Sequence, residues 1–324
     1  MVGWARMRGA RALWFVLATM LLLLAGAENA RLLLARAEIH GWAATPTEIN
    51  DPAAVGRYIP VYRPEEIAEV RREILPAAGV RPGDDATARL ETLATYLLDR
   101  ARAARGVPSP RMAAATPLEQ FRLGESLQDG LWCANYATIL ALFLNAADVP
   151  ARVVMVTTGR PADELDHTFV EAWIPERGGW VFTDPQADRI WIGERGGRRL
   201  DVLSVFDALR RGRDGELVAA VYSGGSVEIR PFVAVNDSER TYFTAETYFE
   251  YRLAPRHVGF TPVERLRQWI FDDRVHFALR EPGIPMLRKD AALAALPGLT
   301  VLWILAGVSV AFGRRRSGAV PVTA

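Results

Sequence analysis

Three side chains of this sequence have types and spacing suited to joint chemistry: Cys133, His167 and Asp184. Cys133 is the only cysteine in 324 residues. A thiolate is a nucleophile, and a nearby imidazole can take its proton and later protonate a leaving amine. A carboxylate on the second ring nitrogen fixes the tautomer and orientation of the imidazole. An oxyanion formed during such a reaction needs hydrogen-bond donors, for which the Cys133 backbone N–H and the Gln128 side chain, five residues upstream, are candidates. Gln128 also reads as an exposed loop glutamine. A lone cysteine has a plainer reading too, as a small buried hydrophobe.

These groups are useful only if helices and strands hold them together. After Cys133 the apolar residues Tyr136, Ile139, Leu140, Phe143, Leu144 and Ala147 recur at i, i+3, i+4, i+7, i+8 and i+11, one stripe of an amphipathic helix. Asp129 and Gly130 act as start signals and Pro150 as a stop. Cys133 then falls in the first turn, where free N–H groups and the positive end of the helix dipole favour thiolate over thiol. Trp132 would shield it from bulk water.

Three strand-like runs follow: "ARVVMVTT" (Ala151–Thr158), "HTFVEAWI" (His167–Ile174) and "WVFTDP" (Trp180–Pro185), the last two joined through "PERGG". His167 opens the second and Asp184 lies at the end of the third. Opposite residues of an antiparallel pair have a constant index sum, and side chains alternate faces. The sum of 167 and 184 is odd, so these two share a face only in an odd register, such as Ile174 opposite Gly179. An even register separates them unless a bulge intervenes. Asp163, Glu164 and Asp166, just before His167, are competing partners that also read as solvated loop charges.

A cysteine opening an apolar helix, then "VPARVV", "DHTFVEAWI" and "GGWVFTDP", resembles the transglutaminase-like family of papain-like cysteine enzymes. The resemblance covers about residues 85–200. It implies an α+β fold with the cysteine helix packed on an antiparallel sheet, and the roles of nucleophile for Cys133, base for His167 and orienting acid for Asp184. Two positions depart from the family pattern: Leu131 stands where glycine is common, two before the cysteine, and Gln186 follows Asp184–Pro185 in place of threonine. The activity implied is acyl transfer from an amide through a Cys133 thioester, either a peptidase or amidase or a transamidase. The alternative is a silent scaffold domain for cell-envelope or polysaccharide assembly.

Location bears on the thiol. Ala12–Ala27 is an apolar run behind Arg6, Arg8 and Arg11, and reads as an anchor or as a cleavable signal segment. Ala291–Phe312 is uncharged over 22 residues and ends at Arg314–Arg316, the pattern of a spanning helix. The positive-inside rule puts both termini in the cytoplasm and roughly 260 residues between them outside, at a cell (inner) membrane. An exported chain with one cysteine forms no internal disulfide, so a retained thiol is either buried or used.

The expected organisation is therefore an N-terminal anchor or signal segment (1–30), a lead region (31–84), a transglutaminase-like domain (85–200), an α/β extension (201–289), a transmembrane helix (290–313) and a cytoplasmic tail (314–324). Within it, Glu65–Leu75 and Asp85–Arg105 read as helices, and another follows Asp201. The runs near 216–252 read as two or three strands, and Val263–Glu281 has helical periodicity. A net charge of +1 gives no field for nucleic acid. His40, His257 and His276 have no second ligand at metal spacing, and no metal or cofactor is expected. The expected partners are a peptide or protein amide, with cell-envelope peptides nearest at hand, and the lipid bilayer. Trp173 and Trp180 read as core or cleft-wall residues.

Overall fold

The computed structural model describes residues 2–34, 41–158, 167–232, 242–243, 247–253, 275–278 and 288–315. The chain divides into two compact units, Met1–Gly41 with Gly283–Ala324, and Trp42–Pro282.

The first unit is a pair of helices, Val2–Leu34 and Arg288–Arg315. The Phe15 and Trp303 rings lie 5.8 Å apart, and the Trp303 indole N–H donates to Thr19 Oγ1 at 2.9 Å. Leu13, Trp14, Leu23, Leu24, Leu302 and Leu305 are exposed along them. The expectation of membrane-spanning flanks is not met: among the described residues no helix is long and apolar enough to cross a membrane.

The second unit is built on strands β1 (Gly41–Ala43), β2 (Ala151–Thr158), β3 (His167–Ile174), β4 (Gly179–Thr183), β5 (Arg189–Glu194), β6 (Leu217–Tyr222), β7 (Val227–Pro231), β8 (Thr247–Arg252) and β9 (Val275–Ala278). Six form one sheet in the order β1-β9-β8-β2-β3-β4, and β5-β6-β7 form another. β3 is buried along nearly its whole length because both faces of the sheet are covered. On one face Val153, Val170, Ala172, Ile174 and Val181 join the core of the cysteine helix, Cys133–Ala146. On the other, Val154, Val156, Phe169, Phe182 and Phe249 join Val205 and Phe206 of helix Val202–Arg210. Tyr136, Ile139, Leu140, Phe143 and Leu144 are all fully buried, which puts the stripe read from the sequence in the core. Each such side chain contributes about 1.5–3 kcal/mol of burial.

Helix Ala86–Ala101 begins where Asp85 caps it, its carboxylate accepting the Ala88 N–H at 2.7 Å. It buries Leu90, Leu93, Leu97 and Leu98 beside the cysteine helix. Several elements differ from expectation. The helix expected over Glu65–Leu75 runs in three segments, Pro64–Glu69, Val70–Ile74 and Leu75–Ala78, and stops at Gly79 with φ +84°. Val275–Ala278, inside the run with helical periodicity, is strand β9 paired with β8, because the open edge of β8 offers hydrogen bonds that local periodicity does not register. The remainder of that run lies outside the described residues. Strand β5 had no counterpart in the reading of the sequence. The lead and extension regions supply β1, β8 and β9 to the six-stranded sheet.

Candidate active site

Cys133 is the first residue of its helix and is half-buried. The start is closed by Asn135, whose Oδ1 accepts the Trp132 N–H at 2.9 Å. Asp129, expected as a start signal, serves elsewhere: it accepts the Ser109 N–H at 2.8 Å and the Gly130 N–H at 2.8 Å, and so holds the lead-in loop. Gly130 is required there, since a Cβ would sit 2.6 Å from the Val107 carbonyl oxygen. The segment before the helix is stitched to 104–106 by Leu131 N–H to Ala104 C=O at 2.8 Å and Gly106 N–H to Leu131 C=O at 3.2 Å. Trp132, expected as a shield, is itself 48 % exposed.

His167 is the first residue of β3, and Asp184 follows the last residue of β4. The hairpin pairs Ile174 with Gly179 and Val170 with Thr183, an odd index sum. His167 and Asp184 therefore lie on one face as diagonal neighbours, and His167 Nε2 is 2.8 Å from Asp184 Oδ2. The other carboxylate oxygen accepts the Ala187 N–H at 3.4 Å, at the start of the turn Pro185–Ala187. The Cys133 side chain lies close enough to the imidazole to favour its protonated form. With Nε2 engaged by Asp184, Nδ1 is the nitrogen left for sulfur. The imidazole thus has the Asp184 carboxylate as its hydrogen-bond partner and the Cys133 thiol as a near neighbour.

The pair is nearly dry, with side-chain exposures of 9 % and 4 %. Burial opposes a charged imidazole, but the Asp184 carboxylate, its hydrogen bond and the Cys133 side chain outweigh it and raise the His167 pKa to about 10. Two aromatic rings fix the imidazole plane. Phe169 meets it edge-on at 4.7 Å, and Tyr242 stacks on it at 4.8 Å with planes 6° apart. Neither was singled out in the sequence. Phe169 was legible as the i+2 neighbour of His167 on its strand face, whereas Tyr242, 75 residues downstream, carried no local signal.

Gln128 lines an open groove of about 460 Å³ with Arg111, Glu119, Arg122 and Ser126. Among the described residues its side chain makes no hydrogen bond to the cysteine segment. The Cys133 and Ala134 N–H groups, in the first turn, have no acceptor one turn back and are free to face a developing oxyanion. Asp163, Glu164, Asp166, His40 and His257 lie outside the described residues, and His276 falls on β9. Trp173 and Trp180 face each other across the hairpin with ring centroids 5.5 Å apart. Trp180 is buried and lies against a buried guanidinium, as a core residue does. Among the described residues no three His, Cys, Asp or Glu side chains gather as a metal cluster.

Residues 76–185 match the family model of the transglutaminase-like superfamily, and that segment contains Cys133, His167 and Asp184. No curated protein and no solved structure gives a significant match to the chain. The chain carries a domain of the transglutaminase-like superfamily, on a mixed helical and antiparallel-sheet scaffold.

Proposed function

We propose that the chain is a cysteine-dependent acyl transferase that acts on peptide or protein amides. The Cys133 sulfur attacks the amide carbonyl, and the C–N bond breaks as His167 Nδ1–H protonates the departing amine, leaving a thioester. Water then attacks the thioester and gives up a proton to His167, which frees the acid and restores the thiol. An amine in place of water gives a cross-link. Water is always present, which favours hydrolysis, and cell-envelope peptides are the nearest amides for an exported domain. Asp184 holds the Nε2–H and so presents Nδ1 to sulfur.

The observation that carries this reading is the 2.8 Å bond between His167 Nε2 and Asp184 Oδ2 on a ring that also reaches Cys133. Its test is labelling of the full chain by a thiol-directed, amide-like probe. Labelling is expected in the wild type, with loss in Cys133→Ala and slowing in His167→Ala. Full rescue of a deletion strain by Cys133→Ala, at normal protein level, would overturn catalysis and leave the scaffold reading.

The proposed location is a cell membrane, with the central unit extracytoplasmic. The exposed apolar side chains of the two long helices support lipid contact, and the lone thiol suits an exported domain whose cysteine is in use. A reporter fused at Arg160 is expected outside; a cytoplasmic signal there overturns the location.

A further inference from the structure

Beyond the three reacting groups lies a second ionic assembly, on the loop that carries Asp184. We infer that Arg102 and Arg105, clamped on Asp188, are positioning residues that hold the Asp184–His167 pair in register with the cysteine helix. The inference rests on the catalytic reading above and adds to it the groups that keep the site assembled.

Asp184 sits at the mouth of a tight loop. Its N–H donates to the Arg189 carbonyl at 3.0 Å, and the Arg189 N–H returns to the Asp184 carbonyl at 2.9 Å. At the far side of the loop Asp188 adopts φ +60°, in the left-handed region that costs most side chains about 1 kcal/mol or more. Its carboxylate is gripped from two directions. Arg102 donates Nε at 3.0 Å and Nη2 at 3.0 Å, while Arg105 donates Nη1 at 3.1 Å and also binds through Nη2. Arg105 Nη2 reaches a third point, the Pro185 carbonyl, at 3.1 Å. The loop is thus held at its first turn and at its last residue by one guanidinium.

Arg105 is equally tied to the nucleophile. Its neighbours Ala104 and Gly106 bracket Leu131, two residues before Cys133, through backbone hydrogen bonds. Its guanidinium also lies over the Tyr136 ring, 6.0 Å from the centroid and one turn after Cys133. Arg105 is therefore referenced to the cysteine lead-in through the backbone on either side of it and to the Asp184 loop through its side chain. Burial pushes the Asp188 carboxyl up, but the hydrogen bonds from Arg105 and Arg102 more than offset this and hold it below its ordinary range. The clamp is ionised at neutral pH. Misplacement of a reacting group by about 1 Å costs on the order of a hundredfold in rate, so a device that fixes two loops against each other has a kinetic consequence.

The test is the alkylation of Cys133 by iodoacetamide in the full chain, followed against pH. Asp188→Asn removes the charge while keeping a residue that tolerates the left-handed conformation. It is expected to slow alkylation at pH 7 by about ten- to a hundredfold and to change the shape of the pH profile. Arg105→Lys keeps the charge but loses the fork and is expected to fall between the two. A wild-type rate and pH profile in Asp188→Asn overturn the clamp while leaving the catalytic reading standing. A wild-type thiol no faster than free cysteine overturns both. If Asp188→Asn does not fold, as judged by circular dichroism, an unchanged profile in Arg105→Lys overturns the clamp.

Discussion

One face of the six-stranded sheet carries two buried ionic pairs, and they are built to opposite ends. At one end His167 and Asp184 meet; at the other Arg152 and Glu171 pair at 2.7 Å with side-chain exposures of 1 % and 0 %. Between them lie Phe169 and Phe182, which separate the two charge systems. The Arg152 guanidinium has fixed partners: Glu171, the Ile49 carbonyl at 2.8 Å and Asn50 Oδ1 at 2.9 Å. Trp180 and Tyr251 close over it with centroids 3.9 Å and 4.6 Å from the guanidinium carbon. The second Glu171 oxygen accepts the Val202 N–H. Such a pair cannot move a proton or meet a substrate. It ties the lead region, the sheet and a downstream helix into one core. The His167 pair differs in one respect: its imidazole also has a half-buried thiol as a neighbour. At equal burial the Arg152 pair is a structural tie, whereas the His167 pair borders a thiol that is only half-buried.

Breaking each pair separates the two roles. The largest effect is expected at the site. Asp184→Asn should leave folding nearly intact while misdirecting the His167 tautomer, and amide turnover should fall by about 10⁴-fold. Wild-type turnover would remove Asp184 from the mechanism.

Arg152→Met should do the reverse. It leaves Glu171 buried without its cation, at a cost of about 3–5 kcal/mol in denaturant unfolding, and it should lower the amount of folded protein rather than the turnover of what folds. A midpoint unchanged from wild type would refute a structural role for the pair.

The two pairs should also part company with pH. The folded-state pKa of His167 is raised to about 10 from an ordinary 6.5. Its protonated ring therefore stabilises the fold fully below pH 6.5, and that contribution is lost as pH rises to about 10. Thermal midpoints measured between pH 6 and 10 should fall in the wild type and fall less in His167→Asn. A parallel decline in both would assign the loss to other groups.

A smaller change is expected at the stacked ring. Tyr242→Leu keeps an apolar cover but loses the parallel stack, worth about 1 kcal/mol, so alkylation of Cys133 should slow by a few-fold. The smallest lies at the surface, where Arg71 and Asp148 pair with exposures of 50 % and 74 %. Asp148→Asn should change unfolding by about 0.5 kcal/mol or less, and less still in high salt.

The candidate site was legible because it is written in short segments. Cys133 at a helix start, His167 opening a strand and Asp184 after the next strand each follow from periodicity and turn residues within about 20 positions. The boundaries of β2 and β3 were readable for the same reason, since their apolar, β-branched runs end at polar loops. The register was narrowed to an odd or an even sum and left there. "PERGG" offers glycine at 178 and at 179, and either could close the loop. In the fold Gly178 takes the left-handed position with φ +63°, which sets a four-residue connection and the odd sum that unites His167 with Asp184.

By itself, then, the sequence determined the helix, the strands that follow it and the identity of the three groups that could react. The tertiary structure alone decided which glycine turns the hairpin, that Val275–Ala278 is an edge strand, that Tyr242 covers His167, and that Arg102 and Arg105 reach Asp188 across more than eighty residues. The division has one physical cause. A helix stripe or a strand alternation is an energy summed over neighbours along the chain, whereas a stack, a clamp or a strand edge depends on surfaces that come together only when the whole domain has packed.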